Sequence, residues 1–144
     1  MKRLFIIIMA AVAVINISVF QIGSAFAGQE AKAGKVIAYY FHSTSRCPTC
    51  HKLEEYSKEA IETNFKDALI SGKLEFRIVN VESRGNEHFV KDYQLYTKSL
   101  VLSLIKEGKE VKSENLAKIW EYVGNKQEFI DYVKKEITVF LGKS

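Results

Sequence analysis

The stretch "VIAYYFHSTSRCPTCHKLE", residues 36–54, holds the decision about the fold. Its first seven residues are mostly apolar and rich in β-branched and aromatic side chains, which predicts a buried strand over residues 36–42. A polar loop follows over residues 43–46, and two cysteines then flank Pro48 and Thr49. Proline suits the first position of a helix, where an N–H would have no intrahelical partner. Beyond it Leu53, Tyr56, Ala60, Ile61, Phe65, Ala68 and Leu69 recur at helical spacing as far as Gly72, predicting one helix over residues 48–71. The cysteines therefore fall where a strand turns into a helix.

That pair admits more than one chemistry. Cys-x-x-Cys followed by His51 is also a haem attachment signature. A haem needs a further axial ligand, yet both methionines, Met1 and Met9, lie near the start of the chain, leaving His42 or His88. Zinc would need both thiols and two separately delivered histidines, because the chain has neither a second Cys-x-x-Cys nor a His-x3-His. Two free thiols packed as small hydrophobes form a blander alternative. Thiol chemistry makes the fullest use of the position. At a helix start, Cys47 meets unpaired amides and the positive end of the helix dipole, which favour thiolate. Arg46, His51 and Lys52 are expected to add positive potential. Cys47 is accordingly expected to attack and Cys50, one turn inward, to resolve the mixed disulfide.

The start of the chain agrees with this chemistry. Lys2 and Arg3 precede an apolar run, and Ala25-Phe26-Ala27 is a small-x-small cleavage site, so residues 1–27 read as a secretory signal peptide. The apolar run contains Asn16 and is short beside the roughly 20 residues a membrane span needs, so no stable membrane insertion is expected after cleavage. Export to the periplasm or medium would bring the only two cysteines into an oxidising compartment. Removing the leader takes two basic residues from the 21 basic and 17 acidic ones, leaving 19 and 17. A charge so near balance, with the signs interspersed, gives no ground for a nucleic-acid partner.

Residues 28–35 are small and polar, a flexible lead-in, and the remainder is large enough for one domain with one core. Leu74, Phe76 and Ile78 alternate with charged residues before Val79 to give a second strand, and residues 87–95 suit a short helix. A third strand is predicted over residues 100–105, followed by a turn at Glu107-Gly108 and a hairpin partner over residues 109–112. Leu116, Ile119, Trp120 and Val123 suggest a short helix that Gly124-Asn125 ends, and Phe129, Val133, Ile137 and Phe140 mark a last helix. The order β-α-β-α-β-β-α, with an extra short helix before the last, predicts an α/β fold: a mixed four-stranded sheet flanked by helices.

With this order and "CPTC" at the first strand-to-helix turn, the chain over residues 36–141 resembles the thioredoxin-like superfamily. It is similar in particular to secreted thioredoxin-like proteins described as a subunit of a nitrophenyl-compound nitroreductase. The stretches that carry the closer likeness are "STSRCPTCHKLE" (43–54), "VKDYQLYTKSLVL" (90–102) and "ENLAKIWEYV" (114–123). The resemblance implies a thiol-disulfide oxidoreductase whose only redox group is a Cys47–Cys50 disulfide, with no other cofactor and no metal. Its partners would be protein thiols and disulfides or a redox partner protein. The substrate groove it implies runs over Pro48, Thr49, Tyr96, Ser99 and Leu100.

Two features depart from the superfamily's pattern. Pro48 is the only proline, so the cis-proline expected opposite the cysteines is replaced around Ser99 or Leu100. The first strand also lacks the carboxylate that manages the second cysteine's proton, which leaves His42, or Tyr40, as candidate proton carrier. The competing readings are a non-catalytic module that binds metal or haem, a redox partner subunit of a reductase, and a disulfide that only closes a loop. Nitro reduction itself would need a flavin or a metal, and the chain has no glycine-rich dinucleotide turn.

Overall fold

The computed structural model describes residues 34–144. The expected leader and the lead-in through residue 33 lie outside the described residues. Strand β1 (Lys35–His42) begins one residue earlier than predicted, with Lys35 paired to Ile105. It runs through the middle of the sheet and is buried on both faces, which is why "VIAYYF" shows no polar alternation.

Helix α1 (Pro48–Asn64) stops short of the predicted end, and a separate α2 (Lys66–Ile70) follows a break at Phe65. At the break Asn64 Nδ2 donates to the Ala60 carbonyl at 2.9 Å and Thr63 donates to that of Glu59, two short polar residues of low helix propensity at the end of α1. Phe65 leaves helical geometry there and packs against the core. Strand β2 (Leu74–Asn80) pairs parallel to β1, the direction that a helical crossover permits.

Helix α3 (His88–Asp92) is shorter than predicted, and Gln94, at φ 50°, takes the chain out of helical geometry. Strands β3 (Ser99–Lys106) and β4 (Lys109–Asn115) form the hairpin. Glu107 and Gly108 both have positive φ, 53° and 77°, as a two-residue primed turn demands. β4 is longer than predicted, and a shift in register between Leu104 and Ile105 bulges it at Val111. Helix α4 (Ile119–Tyr122) and helix α5 (Lys126–Leu141) complete the chain, α5 capped by Asn125, whose side chain accepts from the Glu128 amide.

The sheet order is β2-β1-β3-β4, with β3 antiparallel to both its neighbours. On one face Val36, Ala38 and Tyr40 join Leu100, Leu102 and Leu104 against Leu53 and Ile61 of α1 and Phe129 and Ile137 of α5. On the other, Ile37, Tyr39, Phe41 and Val101 meet Leu95 and the half-buried Phe89 and Tyr93 around α3. The C-terminal end of β1 lies between these two clusters and delivers the chain to Cys47.

Candidate functional site

Cys47 is the N-cap of α1, and Pro48 follows at the first helical position. The Cys47 sulfur accepts a hydrogen bond from the Cys50 amide at 3.2 Å, so it occupies the place where a helix end offers unpaired N–H groups. A disulfide joins Cys47 to Cys50, with their Cα atoms 5.0 Å apart. The two sulfurs are unequal in access. Cys47 is exposed, as are Pro48, His51 and Lys52, whereas Cys50 is only 2% exposed. The first turn of α1 carries no acidic residue that would oppose a thiolate.

Below Cys50 lies Tyr40. Its hydroxyl donates to the Cys50 carbonyl at 2.8 Å, inside the core. Burial pushes its pKa up to about 12, with the nearby Arg46 guanidinium pulling the other way, so the phenol keeps its proton at neutral pH. His42 sits at the end of β1 with its ring stacked 6.4 Å from that of Tyr40, and Nδ1 lies 3.0 Å from the Ser43 carbonyl. His88 is exposed on α3, beside the Gly85 carbonyl.

Arg46 departs from expectation. Its guanidinium forms an ion pair with Glu54, so its charge is matched rather than left free to act on Cys47. Glu54 escaped the sequence reading, although the signal was present: it stands four residues after Cys50 and seven after Cys47, on the same helical face.

The residues of the expected groove separate into two groups. Pro48 is exposed and Thr49 half-buried on the cysteine turn, and Tyr96 is 94% exposed. Tyr96 lines a cavity of about 150 Å3 with His42, Ser43, Val90, Leu95 and Lys98. Ser99 and Leu100 are buried, opposite Phe41 and Tyr40 in the β1 register. The Ser99 hydroxyl donates to the Thr97 carbonyl at 3.0 Å, and Trp120 Nε1 donates to that of Lys98 at 2.9 Å. The approach to β3 is thus fixed by Trp120, a role that its place among core-spaced aromatics did not suggest.

The loop before Cys47 is also tethered. The Thr44 amide donates to Glu82 at 2.9 Å, Asn80 Nδ2 donates to the Thr44 hydroxyl at 3.1 Å, and Asn86 donates to the Asn80 carbonyl at 3.0 Å. These partners are 36 or more residues from Thr44 in sequence, and no local pattern announces them. Among the described residues, no three His, Cys, Asp or Glu side chains converge as metal ligands. No helix there is long and apolar enough to cross a membrane.

A sheet ordered β2-β1-β3-β4, parallel between β1 and β2 and antiparallel elsewhere, carries a cysteine pair where the first strand turns into its helix. The fold is thioredoxin-like. Thioredoxin from Fasciola hepatica is 22% identical, with 62% of this chain and 79% of that chain covered and a TM-score of 0.38. For oxidized thioredoxin O2 from Arabidopsis thaliana the identity is 10%, the coverage 67% and 76%, and the TM-score 0.40. For a thioredoxin from Thermus thermophilus they are 18%, 62% and 72%, and 0.39. No family model matches the chain, and no curated protein is similar to it at a significant level.

Proposed function

We propose that this protein is an exported thiol-disulfide oxidoreductase, periplasmic or secreted, that works through its Cys-Pro-Thr-Cys pair. The observation that carries this reading is the asymmetry of the pair: Cys47 is an exposed helix N-cap, while Cys50 is sealed one turn below it. An exposed sulfur at a helix start is the one that attacks, and a shielded partner resolves.

In the reducing direction, the Cys47 thiolate attacks one sulfur of a substrate disulfide. That bond breaks, and the departing thiolate takes a proton from water. Cys50 then loses its proton, attacks Cys47 and releases the second substrate thiol, so the substrate gains two electrons and the Cys47–Cys50 pair loses them. Oxidation of a dithiol is the same sequence reversed. The pair carries the electrons without any further cofactor, and its partners are protein thiols and disulfides or a redox partner protein. Tyr96, Pro48 and Thr49 are the side chains that a partner would meet, with His42 as a proton carrier at the edge of the groove.

Intact mass of the exported protein with and without reduction and alkylation tests the first part. A chain that begins near Gly28 and gains two alkyl groups only after reduction is expected. Cys50→Ser should then accumulate mixed disulfides with partner proteins, and Cys47→Ser should accumulate none. Exchange that survives in Cys47→Ser, with nothing trapped by Cys50→Ser, would reverse or remove these roles.

A further inference from the structure

The charges around Cys47 are unevenly matched. On its own segment and helix stand Arg46, His51, Lys52 and Glu54; β1 adds Tyr40 and His42; Lys98 precedes β3, and Glu82 holds the Thr44 amide. His51 and Lys52 are exposed to water, where charge is screened. The Arg46 and Glu54 side chains are only 22% and 23% exposed, and the facing atoms, Nη2 and Oε2, are closed off from solvent. Arg46 Nε is also closed off and has no hydrogen-bond acceptor among the described residues. In a poorly solvated setting each of these two charges acts strongly on its neighbours.

Arg46 directly precedes Cys47, yet its head is drawn along α1 to a carboxylate two turns down the helix. The structure holds the disulfide form, in which Cys47 bears no charge. Reduction creates an anion at Cys47 and gives Arg46 a second acidic partner. We propose that Glu54 is a positioning residue that sets the redox poise of the pair: by engaging Arg46 it withholds that charge from the Cys47 thiolate and keeps the protein a milder oxidant than its helix start alone would make it. This rests on Cys47 being the attacking sulfur. Because a stabilised thiolate favours the reduced form, removing the Glu54 charge favours reduction, and removing the Arg46 charge opposes it.

The test uses thiolate absorbance against pH in the reduced protein and equilibration with glutathione redox buffers. E54Q should lower the Cys47 pKa by about half a unit to one unit and shift the glutathione equilibrium about threefold to tenfold toward the reduced protein. R46Q should move both quantities the opposite way. Because Glu54 acts through Arg46, R46Q/E54Q should differ from R46Q in Cys47 pKa by much less than E54Q differs from the wild type, and if E54Q folds poorly the rise in R46Q remains to be read. An E54Q effect as large in the R46Q background as in the wild type, an unchanged Cys47 pKa in R46Q, or shifts of the same sign in R46Q and E54Q would take the action away from Arg46 and overturn the proposal. A wild-type protein that never equilibrates with glutathione would instead remove the oxidoreductase reading, and the proposal with it.

Discussion

On the face covered by α1 and α5, Tyr40, Leu100 and Leu102 meet Leu53, Phe129 and Ile137 with almost no access to solvent. On the opposite face, Ile37, Tyr39, Phe41 and Val101 are roofed by the five-residue α3 and its flanking loops, and the half-buried Phe89 and Tyr93 supply much of the cover. The cause lies in the helices. Two amphipathic helices of 17 and 16 residues can each lay a full apolar stripe on a sheet, whereas one and a half turns cannot. The cysteine turn stands on the thick side, with Tyr40 as its floor, and the cavity lined by Tyr96 and His42 opens beside the thin side. A thiol pair that must hold its geometry thus rests on the well-packed layer, and the wall next to it is the lightly covered one.

Truncating each layer in turn gives the largest effects and the sharpest way to break this contrast. Phe129→Ala should cost about 3–5 kcal/mol in denaturant unfolding, because a fully buried ring packed edge-on against Tyr56 leaves a cavity that the helices cannot close. Phe89→Ala should cost less, about 1–2 kcal/mol, since that ring is only partly removed from water. Equal losses would mean that both layers bear the stability alike.

A finer probe is the hydroxyl that joins the thick layer to the cysteine turn. Tyr40→Phe keeps the ring and removes the donor to the Cys50 carbonyl, with an expected loss of about 1 kcal/mol. No loss, measured in oxidised protein, would separate the turn from its floor.

The smallest effect is expected on the thin side, where charges finish the sheet. Hydrogen bonds from Arg77 and Lys35 hold the Glu75 carboxyl down at about 2, and Arg77 also lies over the Tyr39 ring at 5.7 Å. A depressed carboxyl contributes stability above its ordinary pKa and loses it as pH falls through the folded value. Glu75→Gln should therefore destabilise by less than about 1 kcal/mol at neutral pH, given its partial exposure, and melting curves of variant and parent should converge near pH 2. A gap that persists there would assign Glu75 a role other than charge.

The elements that carried a strong period were legible. β1, β3 and α5 follow directly from apolar runs and spacing, and Glu107-Gly108 announced its turn. The break at Phe65 was not, because apolar spacing runs straight through it. β4 reads as mostly polar, and its full length is set by pairing to β3. In the site, the inequality of Cys47 and Cys50 followed from helix geometry, whereas the Arg46–Glu54 pair, the Trp120 bond to Lys98 and the Glu82 tether did not.

The strand-to-helix turn that presents Cys47 could be read from the chain alone, because apolar period, proline position and cysteine spacing are local properties. The surroundings of that turn came from folding: which carboxylate neutralises Arg46, what lies beneath Cys50 and what fixes the approach to β3. Those contacts join polar groups across a helix face, a turn or a longer return of the chain, and a hydrogen bond or ion pair depends on where the fold brings its partners rather than on any repeat that a sequence displays.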